Sequence, residues 1–170
     1  MQLIRRDAEV RVLACTPSNA AADYLVERLA AAGLDLDKLH RLIAPLPHEE
    51  DAPEDAKAFS QYQMHEKLPA FRVVVSTCSE AGVLQNLGIP VGHFSHIVID
   101  EAAQVDEPLV MIPIMTFSDS NTNIILAGDP NQLGPSIKSP TAAGSGLRSY
   151  FERLMLMNDV YGLDTQVGKP

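Results

Sequence analysis

Two adjacent carboxylates follow an apolar run in this 170-residue sequence. Residues 97–99 are Ile-Val-Ile and lead directly into Asp100 and Glu101. If the run is a strand of an open α/β sheet, both side chains lie at the carboxyl edge, where such sheets bind their ligands. Nucleotide hydrolysis needs one carboxylate to hold hydrated magnesium and another to orient or deprotonate the attacking water. Asp100 and Glu101 suit these tasks, although an isolated pair of this kind also occurs as a simple cap of the next segment.

Amide side chains accompany the acidic pair. Gln104 ends the sequence Asp-Glu-Ala-Ala-Gln, and a second apolar run, residues 123–127, leads into Gly128, Asp129 and Gln132. A neutral amide donates a hydrogen bond to a phosphate oxygen without adding another negative charge beside it. Two consecutive strands that end in polar clusters predict one shared site at the edge of the sheet.

Two other apolar runs end in loops that carry hydroxyl groups. The first loop contains Thr16, Pro17, Ser18 and Asn19, and the second begins at Thr77. The free N–H groups at a helix start attract phosphate, and hydroxyls add contacts to a nucleic-acid backbone. The alternatives are a plain helix cap at Ser18 and an ordinary polar loop at Thr77.

These segments occur in a recognisable order along the chain. They are CTPSNAAAD at 15–23, VSTCSEAG at 75–82, DEAAQ at 100–104 and GDPNQLGP at 128–135. Together they resemble the motifs of superfamily-one helicases of the nonsense-mediated-decay type. The wider sequence, over roughly 10–161, is most similar to the RNA-silencing helicases of the Armitage type.

The resemblance implies ATP and Mg²⁺ as cofactors and assigns roles at the sheet edge. Asp100 would bind magnesium through water, and Glu101 would be the catalytic base. Gln104 and Gln132 would sense the γ-phosphate. Gly128 and Asp129 would support the nucleotide loop, and the residues implied in contacts with nucleic acid are Thr16, Pro17, Ser18, Asn19 and Thr77.

The resemblance also implies a motor that couples NTP hydrolysis to translocation or unwinding on single-stranded RNA. Such motors are monomeric, cytoplasmic and often associated with ribonucleoprotein or silencing-complex proteins. Two alternatives stay open: a catalytically inactive, helicase-derived module that binds RNA or protein, and a DNA helicase of the same superfamily.

Continuous apolar runs predict the elements that position these residues. The runs Val10–Ala14, Arg72–Ser76, His96–Asp100 and Asn123–Ala127 are typical of strands buried on both faces. The predicted fold is therefore α/β, a partial RecA-like domain with a mostly parallel sheet flanked by helices.

Three helices are predicted between and after these strands. The first spans about Ala20–Ala32, with Ser18 or Asn19 as its cap and Gly33 in a left-handed conformation at its end. The second follows Asp106 and is short, because Pro113 forces an early end or a kink. The third begins after Ser145 as cap.

Composition is consistent with one domain over 1–170, with a surface insertion at 44–70 that is rich in proline and acidic residues. The formal net charge of -9 argues against an autonomous nucleic-acid binder. The two cysteines, far apart in sequence, predict no disulfide framework or zinc site. No apolar run approaches the roughly 18 to 20 residues of a membrane span, so no membrane association is expected.

The phosphate-binding sequence G-x-x-x-x-G-K-[ST] does not occur among the 170 residues. The family pattern places it upstream of Met1 and places a second RecA-like domain downstream of Pro170. We therefore expect no meaningful ATP hydrolysis by these residues alone, an expectation that normal RNA-stimulated turnover by the 170-residue chain would refute.

Overall fold

A computed structural model describes residues 2–43, 67–129, 131–144 and 147–157. Within them, parallel strands form one five-stranded sheet. The strands are β1 Val12–Thr16, β2 Leu39–Arg41, β3 Val73–Thr77, β4 His96–Ile99 and β5 Asn123–Leu126. The helices are α1 Gln2–Arg6, α2 Asn19–Ala31, α3 Val83–Asn86, α4 Glu107–Phe117, α5 Pro140–Gly144 and α6 Tyr150–Leu156. The predicted α/β class, with a parallel sheet flanked by helices, is confirmed.

The strand order is β2-β3-β1-β4-β5, which decides which loops are neighbours. Because all the strands are parallel, their carboxyl ends lie along one edge of the sheet. The loop after β1 therefore lies between those after β3 and β4, and the loop after β5 follows beyond β4. All four predicted strands are confirmed with bounds shifted by one or two residues, and β2 is an additional strand that the sequence analysis did not predict.

Two apolar cores, one on each face of the sheet, hold these strands in place. Successive strand residues point to opposite faces, so Leu13 and Cys15 pack on one side while Val12 and Ala14 pack on the other. Helix α2 covers the second face through Ala22, Leu25, Val26 and Leu29. Helix α4 covers the first face through Val110, Ile114 and Phe117. Burial on both faces explains why β1 and β3 are continuously apolar. The predicted burial of the fourth run is wrong, because Ile124 and Ile125 of β5 are 44% and 40% exposed.

The start and end of α2 agree with the prediction. The Ser18 hydroxyl accepts a hydrogen bond from the N–H of Ala21 at 3.3 Å. Gly33 follows the helix with φ of +83°, a left-handed conformation that a residue with a Cβ rarely adopts.

The predicted early end of the second helix is wrong. Helix α4 continues through Pro113 to Phe117 over 11 residues. Asp106 caps its start by accepting from the N–H of Leu109 at 3.0 Å. A proline inside a helix costs about 3 kcal/mol, and complete burial of Val110 and Phe117 offsets that cost.

Two other predictions need revision at their boundaries. Helix α6 begins at Tyr150 with Ser149 as its cap, so the predicted start after Ser145 is wrong, and Ser145 itself lies outside the described residues. Most of the proposed insertion, residues 44–66, also lies outside them. Leu68, however, is buried in the core, so the surface insertion does not extend to residue 70.

Across the described part of the chain, every helix falls short of the length and apolar character needed to traverse a bilayer.

Candidate functional site

Asp100 and Glu101 mark the point where the chain leaves β4. The N–H of Asp100 donates to the carbonyl of Cys15 at 2.8 Å, which extends the sheet by one residue. Glu101 then adopts φ 52° and ψ 38° and is the only non-glycine residue with positive φ in the described part. The left-handed region costs an ordinary residue roughly 1 to 2 kcal/mol, and such strain persists where the surroundings enforce it, often at functional sites. The turn keeps the two carboxylates together at the sheet edge.

Gln104 connects the loop after β4 with the loop after β5. A 3-10 turn over Ala102–Gln104 returns its side chain towards the acidic pair. The Gln104 Nε2 group donates to Glu101 Oε2 at 3.2 Å and to Gln132 Oε1 at 3.5 Å. The structure thus brings together Glu101, Gln104 and Gln132, with Asp100 adjacent in the chain.

The backbones of these two loops also touch. The N–H of Ala102 donates to the carbonyl of Ala127 at 2.7 Å. A Cβ at Gly128 would lie 3.0 Å from the backbone nitrogen of Ala103 and 3.1 Å from that of Ala102. Gly128 is therefore required for close approach of the loops, which is a supporting role.

Asp129 holds the shape of the loop after β5. Its Oδ1 atom accepts from the backbone N–H of Asn131 at 2.9 Å and from the side-chain amide of the same residue at 3.2 Å. Its carbonyl accepts from the N–H of Gln132 at 3.2 Å. These bonds orient the chain that presents Gln132.

An open depression of about 500 Å³ lies beside these amides, lined by Gln104, Asn131, Gln132 and Leu133. Sequence reasoning did not single out Asn131 or Leu133, although both belong to the segment that carries Gln132. Leu133 is 89% exposed, so it presents an apolar surface at the rim. The depression can receive a polar ligand that accepts hydrogen bonds from amides.

The acidic pair fits a hydrated magnesium ion better than a closed metal cage. Within the described residues, no group of three His, Cys, Asp or Glu side chains is placed to hold a metal ion. Magnesium in phosphate sites commonly keeps several waters and takes only one or two protein carboxylates. Asp100, half-buried at the sheet edge, matches that donor set.

The last residue of β1 is a buried threonine, and the loop that follows it has an exposed tip. Thr16 is 1% exposed, and its hydroxyl donates to the carbonyl of Ser18 at 2.9 Å. Pro17 is half-buried, whereas Ser18 and Asn19 are exposed at the start of α2. Of the four residues predicted in this loop, the structure therefore brings Ser18 and Asn19 to the surface, and Thr16 orders them from below.

Thr77, the last residue of β3 before the loop that follows, is buried in the same way. It is 5% exposed, and its hydroxyl donates to Glu80 Oε2 at 2.9 Å. The N–H of Thr77 approaches the same oxygen at 3.4 Å. The exposed hydroxyl in this loop belongs to Ser79, which sequence reasoning did not select. Thr77 thus orders the loop from inside, and Ser79 lies at its surface.

The loops after β1 and β3 are joined by backbone and by charge. The N–H of Cys78 donates to the carbonyl of Thr16 at 3.0 Å. Arg41, at the carboxyl end of β2, contacts Asn19, Asp23 and Glu80, a group that we call the Arg41 cluster. Sequence reasoning missed Arg41 because the strand that positions it is only three residues long.

Comparison with known proteins places the chain in a family. Residues 48–140, more than half of the chain, match the family model described as "AAA domain". The human protein "RNA helicase Mov10l1" is 41% identical over 148 residues, covering 85% of this chain and 12% of its own length. The Drosophila melanogaster "Probable RNA helicase armi" is 30% identical over 192 residues, covering 98% of this chain and 16% of its own length.

A solved helicase structure, MrfA bound to DNA and AMPPNP, superposes with a TM-score of 0.41 and 18% identity over 86% of this chain and 20% of that chain. That likeness is too weak to support a functional statement. The chain spans less than a fifth of the length of the two RNA helicases named above. The family match and these identities confirm the helicase resemblance predicted from the motifs, and the chain belongs to the AAA domain family.

Proposed function

We propose that these residues form part of the motor domain of an ATP-dependent RNA helicase, in which NTP hydrolysis drives translocation or unwinding on RNA. The observation that carries the proposal is the position of Gln104. Its side-chain amide donates hydrogen bonds to Glu101 in the same loop and to Gln132 in the loop after β5. A base and two amides at one sheet edge suit the terminal phosphate of a nucleotide. Both relatives named above are called RNA helicases, which supports RNA over DNA as the nucleic acid.

Each residue at the edge has a distinct part in this proposal. Bound ATP and magnesium would supply the reactive phosphate and the positive charge that offsets it. Asp100 would hold the water shell of the ion, and Glu101 would accept a proton from the attacking water. Gln104 and Gln132 would donate amide hydrogens to phosphate oxygens, while Gly128 and Asp129 keep the second loop in place.

The loops after β1 and β3 form the proposed RNA contact surface. Ser18 and Asn19 are exposed where the 13-residue helix α2 begins, so hydroxyl, amide and backbone groups can meet a phosphate there. Thr16, Pro17 and Thr77 shape this surface from beneath. The net charge of -9 leaves binding dependent on such local groups rather than on a basic surface.

The setting implied by the motif resemblance is also part of the proposal. We infer a cytoplasmic, monomeric motor that acts with ribonucleoprotein or silencing-complex proteins. Because the G-x-x-x-x-G-K-[ST] sequence is not among the 170 residues, hydrolysis is to be measured on the natural full-length polypeptide.

Glu101→Gln in that polypeptide tests the proposal. The amide keeps the shape of the side chain but cannot take a proton, so we expect ATP turnover to fall on the order of 10²- to 10⁴-fold. Nucleotide affinity should stay close to that of the unaltered protein. Glu27→Gln, the same change on the exposed face of α2, is the matched control and should leave turnover unchanged.

Normal turnover by Glu101→Gln would remove the proposed base. Comparing turnover with single-stranded RNA and single-stranded DNA of one sequence separates the two helicase alternatives. Stimulation by DNA alone would contradict the assignment to RNA.

A further inference from the structure

The Arg41 cluster is a charged group at the junction of three elements. Arg41 is the last residue of the edge strand β2, and its side chain is only 13% exposed. Its partners come from the first turns of α2 and from the turn after β3. We propose that Arg41 is a positioning residue that joins the two loops of the candidate RNA surface and offsets their carboxylates. This inference rests on the RNA-binding function proposed above.

The hydrogen bonds show how one side chain reaches both loops. Arg41 Nε donates to Asp23 Oδ1 at 2.8 Å, and another guanidinium nitrogen donates to Asn19 Oδ1 at 2.6 Å. The third nitrogen donates to the carbonyl of Leu42 and lies 3.8 Å from Glu80 Oε2. A planar guanidinium with five N–H donors holds several acceptors at fixed angles, which a flexible ammonium group does not. Arg41 thereby fixes the start of α2 relative to the turn after β3.

Glu80 extends the influence of Arg41 into the loop after β3. Its Oε2 atom also accepts from the Thr77 hydroxyl at 2.9 Å, and its side chain is only 14% exposed. A half-buried carboxylate of this kind needs a nearby positive charge. The position of Arg41 therefore stabilises the same Glu80 rotamer that orders Thr77 and places Ser79 at the surface.

The net charge of the Arg41 cluster also affects the proposed binding of RNA. The cluster contains two carboxylates, Asp23 and Glu80, and one guanidinium, so it carries a net charge of about -1 at neutral pH. Without Arg41 the charge would be about -2, directly beside Ser18 and Asn19. Since RNA phosphates are negative, the more negative cluster would repel the backbone that these exposed residues are proposed to contact. Arg41 thus aids binding without touching the RNA.

Arg41→Gln in the natural full-length polypeptide tests this inference. The probe is a fluorescein-labelled oligouridylate, with affinity measured by fluorescence anisotropy at fixed salt. We expect affinity to fall about tenfold. Adding Glu80→Gln to Arg41→Gln should restore most of the affinity, because the amide still accepts from Thr77 while one negative charge beside the loop is removed.

The rescue separates positioning from direct contact. If Arg41 itself held a phosphate, neutralising Glu80 would not restore binding, and that outcome would overturn the inference. Lys38→Gln is the matched control, since Lys38 precedes the same strand at the opposite edge of the sheet. Lys38→Gln should leave RNA affinity unchanged within about twofold. If Arg41→Gln also had the affinity of the unaltered protein, the inference would be overturned.

Amide hydrogen exchange in the ligand-free protein gives a readout that needs no RNA. Arg41→Gln should speed exchange at the start of α2 and in the turn over Glu80–Gly82, whereas Lys38→Gln should not. Unchanged exchange at both places would contradict positioning. If Arg41→Gln does not fold, Arg41→Lys, which keeps the charge but loses the planar fork, should show the same exchange pattern with a smaller loss of affinity.

These measurements also distinguish the inference from the function on which it rests. An unaltered protein that does not bind single-stranded RNA would contradict the proposed function, and the exchange experiment would still decide the role of Arg41. If the unaltered protein and Arg41→Gln bind RNA with the same affinity, only the inference is contradicted.

Discussion

The two pairs of loops at the carboxyl edge of the sheet differ in how far the side chains that hold them are buried. The loops after β1 and β3, here the β1–β3 loops, are fastened by buried hydroxyls and by the Arg41 cluster. The loops after β4 and β5, the β4–β5 loops, meet through exposed amides at 3.2 and 3.5 Å and through one close backbone approach at Gly128. The first pair therefore combines the backbone bond from Cys78 to Thr16 with side-chain bonds that are partly buried. The second pair combines backbone contact with exposed side-chain amides.

This difference suggests how each pair meets its ligand. The bond from the Thr77 hydroxyl to the charged Glu80 side chain is partly buried, and hydrogen bonds to charged groups are strong. We therefore expect the β1–β3 loops to keep one geometry with or without RNA. Exposed amide contacts compete with water and contribute little, so Gln104 and Gln132 can exchange partners when a phosphate arrives. A motor needs both behaviours, because a sensing group has to respond to the nucleotide while the track surface stays formed.

One side-chain truncation in each pair of loops should show the difference between the pairs most clearly. Thr77→Val removes the hydroxyl that donates to Glu80, so we expect the free energy of unfolding to fall by about 2 kcal/mol. Gln132→Ala removes a long contact on an exposed side chain and should cost less than about 0.5 kcal/mol. Urea denaturation of the two variants checks this, and equal losses would contradict the contrast between the loop pairs.

A glycine substitution tests the backbone contact of the β4–β5 loops. In Gly128→Ala the new Cβ would meet the backbone nitrogens of Ala102 and Ala103 at 3.1 and 3.0 Å. We expect a loss of about 1 kcal/mol in stability together with reduced ATP turnover, because the two loops must move apart.

Gly134→Ala is the matched control for that substitution. Nothing lies within 4 Å of a Cβ at Gly134, so this variant should keep both stability and turnover. Thermal unfolding and turnover are measured side by side. If Gly128→Ala matched Gly134→Ala in both, close packing of the loops would not matter for the site.

The sequence predicted the sheet well where burial leaves a clear pattern. Strands β1 and β3 are apolar and buried throughout, as burial on both faces requires. Strand β5 has the same apolar pattern, but Ile124 and Ile125 are exposed, so the pattern predicted the strand and not its burial. Strand β2 has no such pattern, since Leu39 is its only apolar residue and His40 and Arg41 complete it. It forms through pairing with β3, including the bond from the N–H of Leu42 to the carbonyl of Val75 at 2.8 Å. Such tertiary pairing leaves little local signal.

The site was predictable to the level of loops but not of side-chain direction. Strand ends indicated that Glu101 and Gln132 would be neighbours, and Gln104 joins them. Thr77 looked like a surface hydroxyl, yet Glu80, three residues later, turns it inward. The helix through Pro113 shows the same limit, because tertiary burial outweighs a local preference.

A smaller effect, that of pH on stability, should sharpen the contrast because one of the groups that titrate lies in β2. His40 precedes Arg41 and stacks on Phe71 with ring centroids 5.0 Å apart. Burial, and to a lesser extent the charge of Arg41, lowers the pKa of His40 below its ordinary value of 6.5. The unfolded chain therefore binds this proton more readily than the folded chain. Stability is complete above the unfolded pKa and is lost as pH falls through the folded pKa.

Denaturation midpoints at about pH 7.5 and pH 5.5 should show this loss of stability. The loss of stability between the two pH values should be smaller in His40→Gln. The pKa of His93 is also lowered, by burial first and by Arg11 second, so part of the dependence should remain. Because β2 carries Arg41, acidification should weaken RNA affinity more than nucleotide affinity. In His40→Gln the difference between these two losses of affinity should be smaller. A His40→Gln protein with the full pH dependence of the unaltered protein would show that β2 is not the sensitive element.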